Sequence, residues 1–342
     1  MRHFIAANYF LFGIVVSFAL AALAPEIGSK NGALPIGLLQ TVGIAAIFFF
    51  QGASLPFEEL KRSVSEWKLH LCVQTTTFLF FPLLILTGLT LTASFFIQPD
   101  LRLGFLYLSF LPTTIASAIA LTATSGGNVS GALFNTTISN VCGVFLVPIL
   151  CLVLMEIDGT QTQIEIGPVL IGILIKIILP LFIGQACRRF LRNWTGRHKI
   201  GIRRFNNGVI LFLLYAAFCD SFIRNIWSSV EPSTLTGTIL GVLFILGGAT
   251  YYVWTLSGLI GLDRKSRVAA LMCGSQKTLA VGLPLSVMIF GSPNSSVELS
   301  LLIVPLLLYH PAQLILGGWL SPRLERYVAN GKDAVGDLSK ND

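Results

Sequence analysis

Apolar stretches of about 20 residues recur along the whole chain and are separated by short polar connectors. A helix of that length crosses the roughly 30 Å hydrocarbon core of a bilayer. The pattern predicts ten such segments, at residues 4–24, 34–52, 69–91, 103–125, 129–155, 167–187, 207–222, 235–259, 268–290 and 299–320. We therefore expect an all-α polytopic membrane protein with ten transmembrane helices.

The segments leave no room for a separate soluble domain. Residues 1–320 are predicted to form a single transmembrane unit, and residues 321–342 a polar cytoplasmic tail. The first segment follows Arg2 and could be a signal peptide, but its apolar run is long for one and nine more segments follow. We expect it to be retained as a helix.

The composition agrees with this class and excludes others. Hydrophobic residues make up 54% of the 342 residues and charged residues only 11%, and the mean hydropathy is +0.78, which is outside the range of soluble domains. The formal net charge is +7, but the basic residues lie in short connectors, a pattern that orients membrane proteins. We expect the lipid bilayer as a partner and no nucleic acid.

The connectors also predict an orientation. If the amino terminus is cytoplasmic, 18 of the 23 Lys and Arg residues fall on the cytoplasmic side and three on the other. Positively charged short loops stay in the cytoplasm during insertion. We expect both termini in the cytoplasm and a location in the plasma membrane, which is the inner membrane if the protein is bacterial.

Ten segments divide into two sets of five at the connector 156–167. Because five is odd, the second set enters the membrane from the opposite side, which is the geometry of an inverted repeat. The fourth and ninth segments then occupy matching positions. Helix-weakening residues interrupt both of them, at Pro112 in the fourth and at Gly274, Gly282 and Pro284 in the ninth. Matched interrupted segments predict a ligand site near the bilayer midplane.

The ninth segment also carries a lysine at membrane depth. Lys277 lies about ten residues into the segment, and Ser275, Gln276 and Thr278 lie beside it. A lysine at the bilayer centre costs roughly 2.5–3.5 kcal/mol, so we expect its side chain to face other helices or a wet cavity rather than lipid. The alternative is a lysine that snorkels along the helix to the interface.

Three motifs of these segments resemble those of a known family. They are Leu111-Pro-Thr-Thr-Ile-Ala-Ser-Ala-Ile-Ala120, Gly126-Gly-Asn-Val-Ser-Gly131 and Cys273-Gly-Ser-Gln-Lys-Thr-Leu-Ala280, the last followed by Gly282-Leu-Pro284. On these motifs, and from about residue 4 to residue 320, the chain resembles the bile acid:sodium symporter superfamily. It is most similar to the symporter-like branch, which comprises largely uncharacterised bacterial transporters and eukaryotic relatives linked to calcium homeostasis.

The resemblance implies a fold of ten helices in two inverted repeats of five. Segments 1, 2, 6 and 7, at about 4–52 and 167–222, would form a panel domain. Segments 3–5 and 8–10, at about 69–155 and 235–320, would form a core domain. In that core, segments 4 and 9 would unwind and cross.

Sodium-coupled members of this superfamily hold their ions with a glutamate just before the glutamine of the ninth segment and with polar residues of segments 4 and 5. In this chain no carboxylate lies just before Gln276, and Ala118 follows Ser117 where a Ser-Asn pair is expected. Thr136 falls near the fifth-segment threonine of the family. The resemblance thus leaves Na⁺ at Thr136 and Gln276, a proton, or no ion at all as the coupling partner.

The candidate substrate- or ion-binding residues are polar side chains at membrane depth. They are Thr113, Thr114, Ser117, Asn135, Thr136, Asn140, Ser275, Gln276, Lys277, Thr278, Gln74, Thr77, His310 and Gln313. We expect the ammonium of Lys277 to sit where relatives bind a cation, satisfied by hydroxyls and amides of segments 4 and 5. It would be a fixed counter-charge, a proton-coupled switch or an attractor for an anion. His310 either titrates or makes a helix-packing hydrogen bond.

Two functions remain open at this level. The first is a secondary active transporter of a small organic anion that works by alternating access, with Na⁺ or H⁺ as the only cofactor to consider. The alternative is a membrane regulator of calcium homeostasis without concentrative transport. Motifs of hydrolases and phosphate-binding enzymes are missing from the sequence, so we expect no enzyme. The substrate's identity and the oligomeric state do not follow from the sequence.

Overall fold

The computed structural model describes residues 2–29, 32, 34–55, 64–91, 98–157, 166–291 and 297–338. All regular structure within these residues is helical. Residues 158–165 of the connector between the two halves, and residues 339–342 of the expected tail, lie outside the described residues.

The helices follow one another through short connections. The first half contains α1 (Arg2–Leu23), α2 (Pro25–Gly28), α3 (Ile36–Ser54), α4 (Trp67–Leu91), α5 (Pro99–Phe110), α6 (Ala116–Thr124) and α7 (Val129–Ile157). The second half contains α8 (Gly167–Arg197), α9 (Lys199–Ile223), α10 (Pro232–Leu259), α11 (Arg264–Gly274), α12 (Leu279–Phe290), α13 (Leu299–Leu302) and α14 (Val304–Leu338), with a 3₁₀ turn at Ile226–Ser229. The expected tail therefore continues the last helix as far as Leu338.

Eight helical stretches of the described part are long and apolar enough to cross a membrane. They are Ile36–Ser54, Trp67–Leu91, Val129–Cys151, Gly167–Arg197, Lys199–Ile223, Pro232–Leu259, Arg264–Phe290 and Leu299–Asn330, and Tyr9–Leu23 is a shorter apolar helix. The expected all-α polytopic class is therefore confirmed. The count of ten crossings and the inverted repeat stay predictions.

The burial of side chains is that of a protein surrounded by lipid. Large apolar side chains such as Leu23 (82% exposed) and Leu259 (80%) lie on the outside, whereas Lys277 is fully buried. Within Arg264–Phe290, 94% of the residues of its apolar 18-residue window are buried, the largest share among the eight stretches, although this stretch carries the motif with that lysine. Polar groups thus lie inside the helical assembly, where other helices can satisfy them.

The segment formed by α5 and α6 is broken where the sequence predicts it. Pro112 lacks an N–H group and disfavours a helical conformation of Leu111, which is extended (φ −66°, ψ 143°). The chain resumes as α6 and then turns at Gly126, whose φ of 67° lies in the left-handed region that glycine adopts without strain.

The segment formed by α11 and α12 is broken between Gly274 and Leu279. Thr278, the last residue of the break, is extended (φ −89°, ψ 127°). The other two residues expected to disrupt this segment, Gly282 and Pro284, instead lie inside α12. The break is therefore shorter than the motif suggests.

The two breaks contact each other directly. The N–H of Thr278 donates a hydrogen bond to the carbonyl oxygen of Pro112 (2.9 Å). From α7, Asn140 Nδ2 donates to the carbonyl oxygen of Thr113 (2.8 Å), and the N–H of Thr113 donates to Ser139 Oγ (3.2 Å). Backbone groups that the breaks release are thus paired with each other and with α7.

Candidate functional site

Lys277 lies at the contact between the two breaks. Its side chain is 0% exposed, and its Nζ atom donates hydrogen bonds to three backbone carbonyl oxygens, those of Thr77 (2.9 Å), Ser109 (2.8 Å) and Leu111 (2.8 Å). The ring of Phe81 lies against the same atom, with its centroid 3.9 Å away. The side chain therefore neither faces lipid nor reaches the membrane interface.

The carbonyl oxygen of Thr77 is available because of a π-helical turn in α4. Residues Thr76–Phe80 form this turn, in which an N–H bonds to the carbonyl five residues earlier, as the N–H of Phe81 does. The next donor in that pattern would be residue 82, but Pro82 has no N–H. Lys277 supplies the missing donor.

The other two carbonyl groups belong to the broken end of α5. A helix leaves its last carbonyl groups without intrahelical partners, and Pro112 prevents α5 from continuing past Phe110. The carbonyl groups of Ser109 and Leu111 are therefore free to bind the ammonium. A positive charge at the carboxyl end of a helix is also favoured by the helix dipole.

Three acceptors match the three N–H groups of a charged ammonium. A neutral amine has two N–H groups and would turn its lone pair toward the third carbonyl oxygen. The sequence contains no Asp or Glu between residues 67 and 91, 101 and 155, or 264 and 297, which are the stretches that surround the site. The arrangement suits a permanent positive charge that backbone dipoles hold.

The partners of Lys277 differ from those we expected. We expected side-chain hydroxyls and amides of predicted segments 4 and 5, residues 103–125 and 129–155, around the ammonium. This was wrong, because backbone carbonyl groups of α4 and of the carboxyl end of α5 bind it instead. Side-chain patterns do not reveal these groups, since every residue carries a carbonyl and only local breaks free it.

Gln313 of α14 holds the backbone of Lys277 through two hydrogen bonds. Its Oε1 accepts from the N–H of Lys277 (2.7 Å), and its Nε2 donates to the carbonyl oxygen of Lys277 (2.9 Å). The same Nε2 lies 3.0 Å from His310 Nδ1, one turn earlier on the same helix, so this contact tests neither of the two roles predicted for His310. The hydroxyl of Tyr309 donates to the carbonyl oxygen of Ser275 (2.7 Å). α14 thus replaces helical hydrogen bonds that the break lacks.

Gln276 joins the second break to α6. Its Oε1 atom accepts hydrogen bonds from Thr114 Oγ1 (2.6 Å) and Ser117 Oγ (2.9 Å), and the two hydroxyl oxygens lie 2.6 Å apart. In this arrangement Oε1 faces the two hydroxyls and Nε2 faces α14 at Gly317, where an added Cβ would lie 3.7 Å from it. The N–H donors of Gln276 are directed away from the hydroxyls.

The predicted residues of α4 and α7 lie together beside the first break. Gln74 Nε2 donates to the backbone oxygen of Asn135 (3.1 Å) and to its Oδ1 (3.3 Å). Asn140 binds the break itself at Thr113. Thr136 is fully buried, and its hydroxyl donates to a carbonyl group of its own helix (3.1 Å).

Three further predicted residues contribute through their backbone. The hydroxyls of Thr77 and Ser275 donate to carbonyl groups of their own helices (2.8 and 2.7 Å). It is the carbonyl of Thr77 that holds the ammonium, the carbonyl of Ser275 that anchors α14, and the N–H of Thr278 that joins the breaks. All fourteen candidate residues thus belong to this one region or to the helices packed on it.

Two buried oxygen atoms of this region have no hydrogen-bond partner among the described residues. They are Thr113 Oγ1, at the first break, and Gln74 Oε1, on α4. A buried polar atom without a partner costs about 1–3 kcal/mol. Such atoms mark positions at which water or a ligand would find a polar contact.

The residues considered for sodium are already engaged. Gln276 Oε1 accepts two hydroxyl hydrogen bonds, and the hydroxyl of Thr136 bonds within its own helix. A hard cation wants several oxygen ligands and usually a carboxylate. The three carbonyl oxygens that would suit a cation bind Lys277 instead. Those three carbonyl oxygens therefore hold a cationic group that is covalently attached to the chain.

Sequence reasoning missed several groups at the site. His70 Nδ1 lies 3.0 Å from Asn135 Nδ2, and the hydroxyl of Tyr309 binds the second break. One signal in the sequence could have pointed to the carbonyl cluster, namely Pro82 placed inside an apolar segment and following hydroxyl residues. A proline there frees a carbonyl group at membrane depth, which then needs a donor.

Comparison with known proteins gives consistent matches over most of the chain. A model of the SBF-like CPA transporter family matches residues 8–326. The sodium/bile acid cotransporter 7 of Danio rerio is 33% identical over 332 residues, which cover 94% of this chain and 95% of that protein. The Rattus norvegicus protein of the same name is 30% identical over 335 residues (96% and 95%). An uncharacterised protein of Pseudomonas aeruginosa is 31% identical over 336 residues (97% and 96%).

Proposed function

Because this chain belongs to the SBF-like CPA transporter family, we propose that it is a secondary transporter that moves a small organic anion across the membrane by alternating access. The family confirms the resemblance found in the motifs and makes the chain a multi-pass membrane transporter. The names of its relatives mention sodium and bile acid, and those words describe the relatives. For this chain, the substrate class and the coupling are proposals that rest on the site.

One observation carries the proposal of an anionic substrate, namely the charged ammonium of Lys277 in a region whose sequence supplies no carboxylate. An unneutralised charge in a low-dielectric interior favours a nearby anion. Because Lys277 is enclosed, it would act through its electric field rather than by contact. Gln276 Nε2 and the hydroxyl of Thr113, which are also buried in this conformation, are the donors that would meet the substrate once the site opens to one side.

We propose that the ammonium of Lys277 takes the place of a coupling cation and stays bound at the site throughout transport. Carbonyl oxygens are ligands that a metal cation uses, and here they hold an ammonium that is fixed to the chain. Such a transporter releases no cation on either side, so a sodium gradient does not drive it. Substrate transport is then driven by exchange for another anion or by a proton gradient.

Helix packing supports a division into two moving parts. α3 packs against α8 and α1 against α9, which is the grouping expected for a panel, whereas α4, α7 and α11 pack together around the breaks. Rocking of these parts would expose the crossing point to each side in turn. We propose ten crossings in two inverted repeats, with both termini in the cytoplasm of a plasma-membrane protein.

The experiment is uptake by purified protein in liposomes. Radiolabelled anions of graded size, from small carboxylates and sulfonates to a bile acid, are offered outside, with unlabelled anion or buffer inside. Uptake of at least one anion above protein-free liposomes supports a transporter. If no anion moves while cells that lack the protein show altered calcium entry, the protein is a regulator and the proposal is wrong.

The ion dependence is measured on the same liposomes. We expect equal uptake in sodium, potassium and choline buffers at one pH. Uptake that requires sodium would contradict the role assigned to Lys277 but leave the transporter intact. Uptake that follows an imposed pH gradient would identify the proton as the driving ion.

A further inference from the structure

An ion pair joins helices from different parts of the molecule at the end opposite the basic connectors. Arg224, the residue that follows α9, lies 3.0 Å through Nη1 from Glu298 Oε2, and Glu298 is the residue that precedes α13. The Glu298 side chain is 8% exposed and that of Arg224 51%. The pair is thus half enclosed, with its carboxylate held inside.

Glu298 is itself fixed to the start of α5. Its backbone N–H donates to Asp100 Oδ1 (3.2 Å), and the hydroxyl of Ser300 donates to its Oε1 (3.2 Å). Beneath these groups, Leu101 and Leu301 are buried and Trp227 packs against them. Arg224 therefore contacts a structured corner formed by α5 and α13 and not a single mobile side chain.

α5 and α13 pack closely against each other. Gly104 of α5 approaches Leu302 so closely that an added Cβ would lie 2.3 Å from the carbonyl oxygen of Leu302. Backbone against backbone leaves neither helix free to slide without the other. A force applied to Glu298 is therefore also applied to α5.

The other end of α5 holds the ammonium of Lys277. Asp100 lies in the first turn of this 12-residue helix, and the carbonyl groups of Ser109 and Leu111 lie at its end. The helix is about 18 Å long. The ion pair and the carbonyl groups around Lys277 thus lie at opposite ends of α5.

We propose that Arg224, Glu298 and Asp100 form a latch that holds the end of α9 against α5 and α13 and so keeps this end of the molecule closed. Opening of the latch would free α5, and α5 would carry the carbonyl groups that bind Lys277. The place of the latch in a transport cycle rests on the proposed function, whereas the contact and its effect on α5 do not.

The latch is expected to respond to pH on its own side of the membrane. Burial raises the pKa of Glu298, Arg224 lowers it, and the carboxylates of Asp100 and Asp220 raise it, with burial the largest cause. Burial also raises the pKa of Asp100, which the hydrogen bond from Glu298 lowers. On acidification, Glu298 is therefore protonated at a higher pH than an ordinary glutamate, and the attraction to Arg224 is lost.

Hydrogen–deuterium exchange of the purified protein in lipid nanodiscs tests the latch. The variants are Arg224→Gln, Glu298→Gln and the two together, with Arg203→Gln, at the far end of α9, as the matched control. We expect the protection of peptides from 98–110 and 297–304 to fall about threefold in each single variant, a change typical of a partly exposed ion pair. The double variant should lose no more protection than either single variant, because each single variant already breaks the ion pair.

Additive losses in the double variant, or protection equal to wild type in both single variants, would overturn the latch. A second arm compares protection at pH 7.5 and pH 5.5. The wild type should lose protection in the same peptides at the lower pH, whereas Glu298→Gln should lose less, because only Asp100 of the latch carboxylates can still be protonated; equal responses would also overturn it. Neither arm needs a substrate, so a failure here is separate from a failure of the uptake assay.

Discussion

The Nζ atom of Lys277 lies 2.9 Å from the carbonyl oxygen of Thr77, five residues before Pro82. The three residues define one relationship, because the proline removes a backbone donor and the lysine of a distant segment supplies another. The bond joins residues 200 positions apart and connects α4 to the break between α11 and α12. The π turn before Pro82 thus explains why the carbonyl of Thr77 needs a donor, and the buried ammonium of Lys277 is that donor.

Replacement of Pro82 by alanine tests this relationship. In the wild type, Pro82→Ala provides an N–H that competes with the ammonium of Lys277 for the carbonyl of Thr77. We therefore expect the free energy of unfolding to fall by about 1 kcal/mol. In a Lys277→Met background the same change gives an otherwise unpaired carbonyl a donor, so it should stabilise the protein. The measurement is thermal unfolding of the four proteins of this cycle.

Pro180 provides the matched control for that cycle. It follows a second π turn, Leu174–Ile178 of α8, at the same spacing, but Lys277 does not bind there. Pro180→Ala should have the same effect with or without Lys277→Met. An effect of Pro82→Ala that is likewise independent of residue 277 would refute the link between the proline and the lysine.

A pair of threonine variants on one segment tests the role of Gln276. Thr114→Val removes a hydroxyl that donates to Gln276 Oε1 at 2.6 Å, and it frees the amide to rotate. Thr122→Val, in α6, removes a buried hydroxyl that has no partner among the described residues. We expect Thr114→Val to raise the KM for anion uptake about tenfold, as expected for the loss of roughly 1.4 kcal/mol of binding.

Thr122→Val should leave the KM for uptake unchanged. The unfolding temperature should stay the same or rise, because the variant removes a buried hydroxyl without a hydrogen-bond partner. Equal KM values for the two variants would mean that the orientation of Gln276 does not matter for binding. The comparison separates that orientation from a general loss of hydroxyl groups in the segment.

The orientation is tested with single cysteines at exposed positions of opposite ends. Gly196→Cys lies near the basic end of α8, and Ser228→Cys lies near the ion pair of Arg224. In intact cells an impermeant maleimide should label position 228 only, and position 196 should react after permeabilisation. Labelling of position 196 in intact cells would reverse the predicted topology.

Part of the fold and the site follows from the sequence, for identifiable reasons. Pro112 and Gly274 predict the breaks because each weakens helical hydrogen bonding locally. The burial of Lys277 follows from the cost of a charge in lipid. These are properties of single residues in an apolar context, which one sequence displays.

The partners of Lys277 and the extent of the last helix do not follow in this way. Which carbonyl groups bind the ammonium depends on how α4 and α5 pack, and the identity of Ser109 or Leu111 does not indicate it. The helix through Leu338 was expected to be a polar tail, since a helix that leaves the membrane has no apolar pattern to predict it. Packing between distant segments is the information that the sequence lacks.

Chemical rescue of Lys277→Ala is the most direct test of a lysine that stands in for a cation. The variant leaves three carbonyl oxygens around a space of the size of an alkylammonium group, whereas Lys277→Met fills that space with an apolar chain. We predict that methylammonium raises the unfolding temperature of Lys277→Ala by about 2–4 °C and leaves the wild type and Lys277→Met unchanged. The same shift in all three proteins, or none in Lys277→Ala, would contradict a cation site at the crossing of the two broken segments.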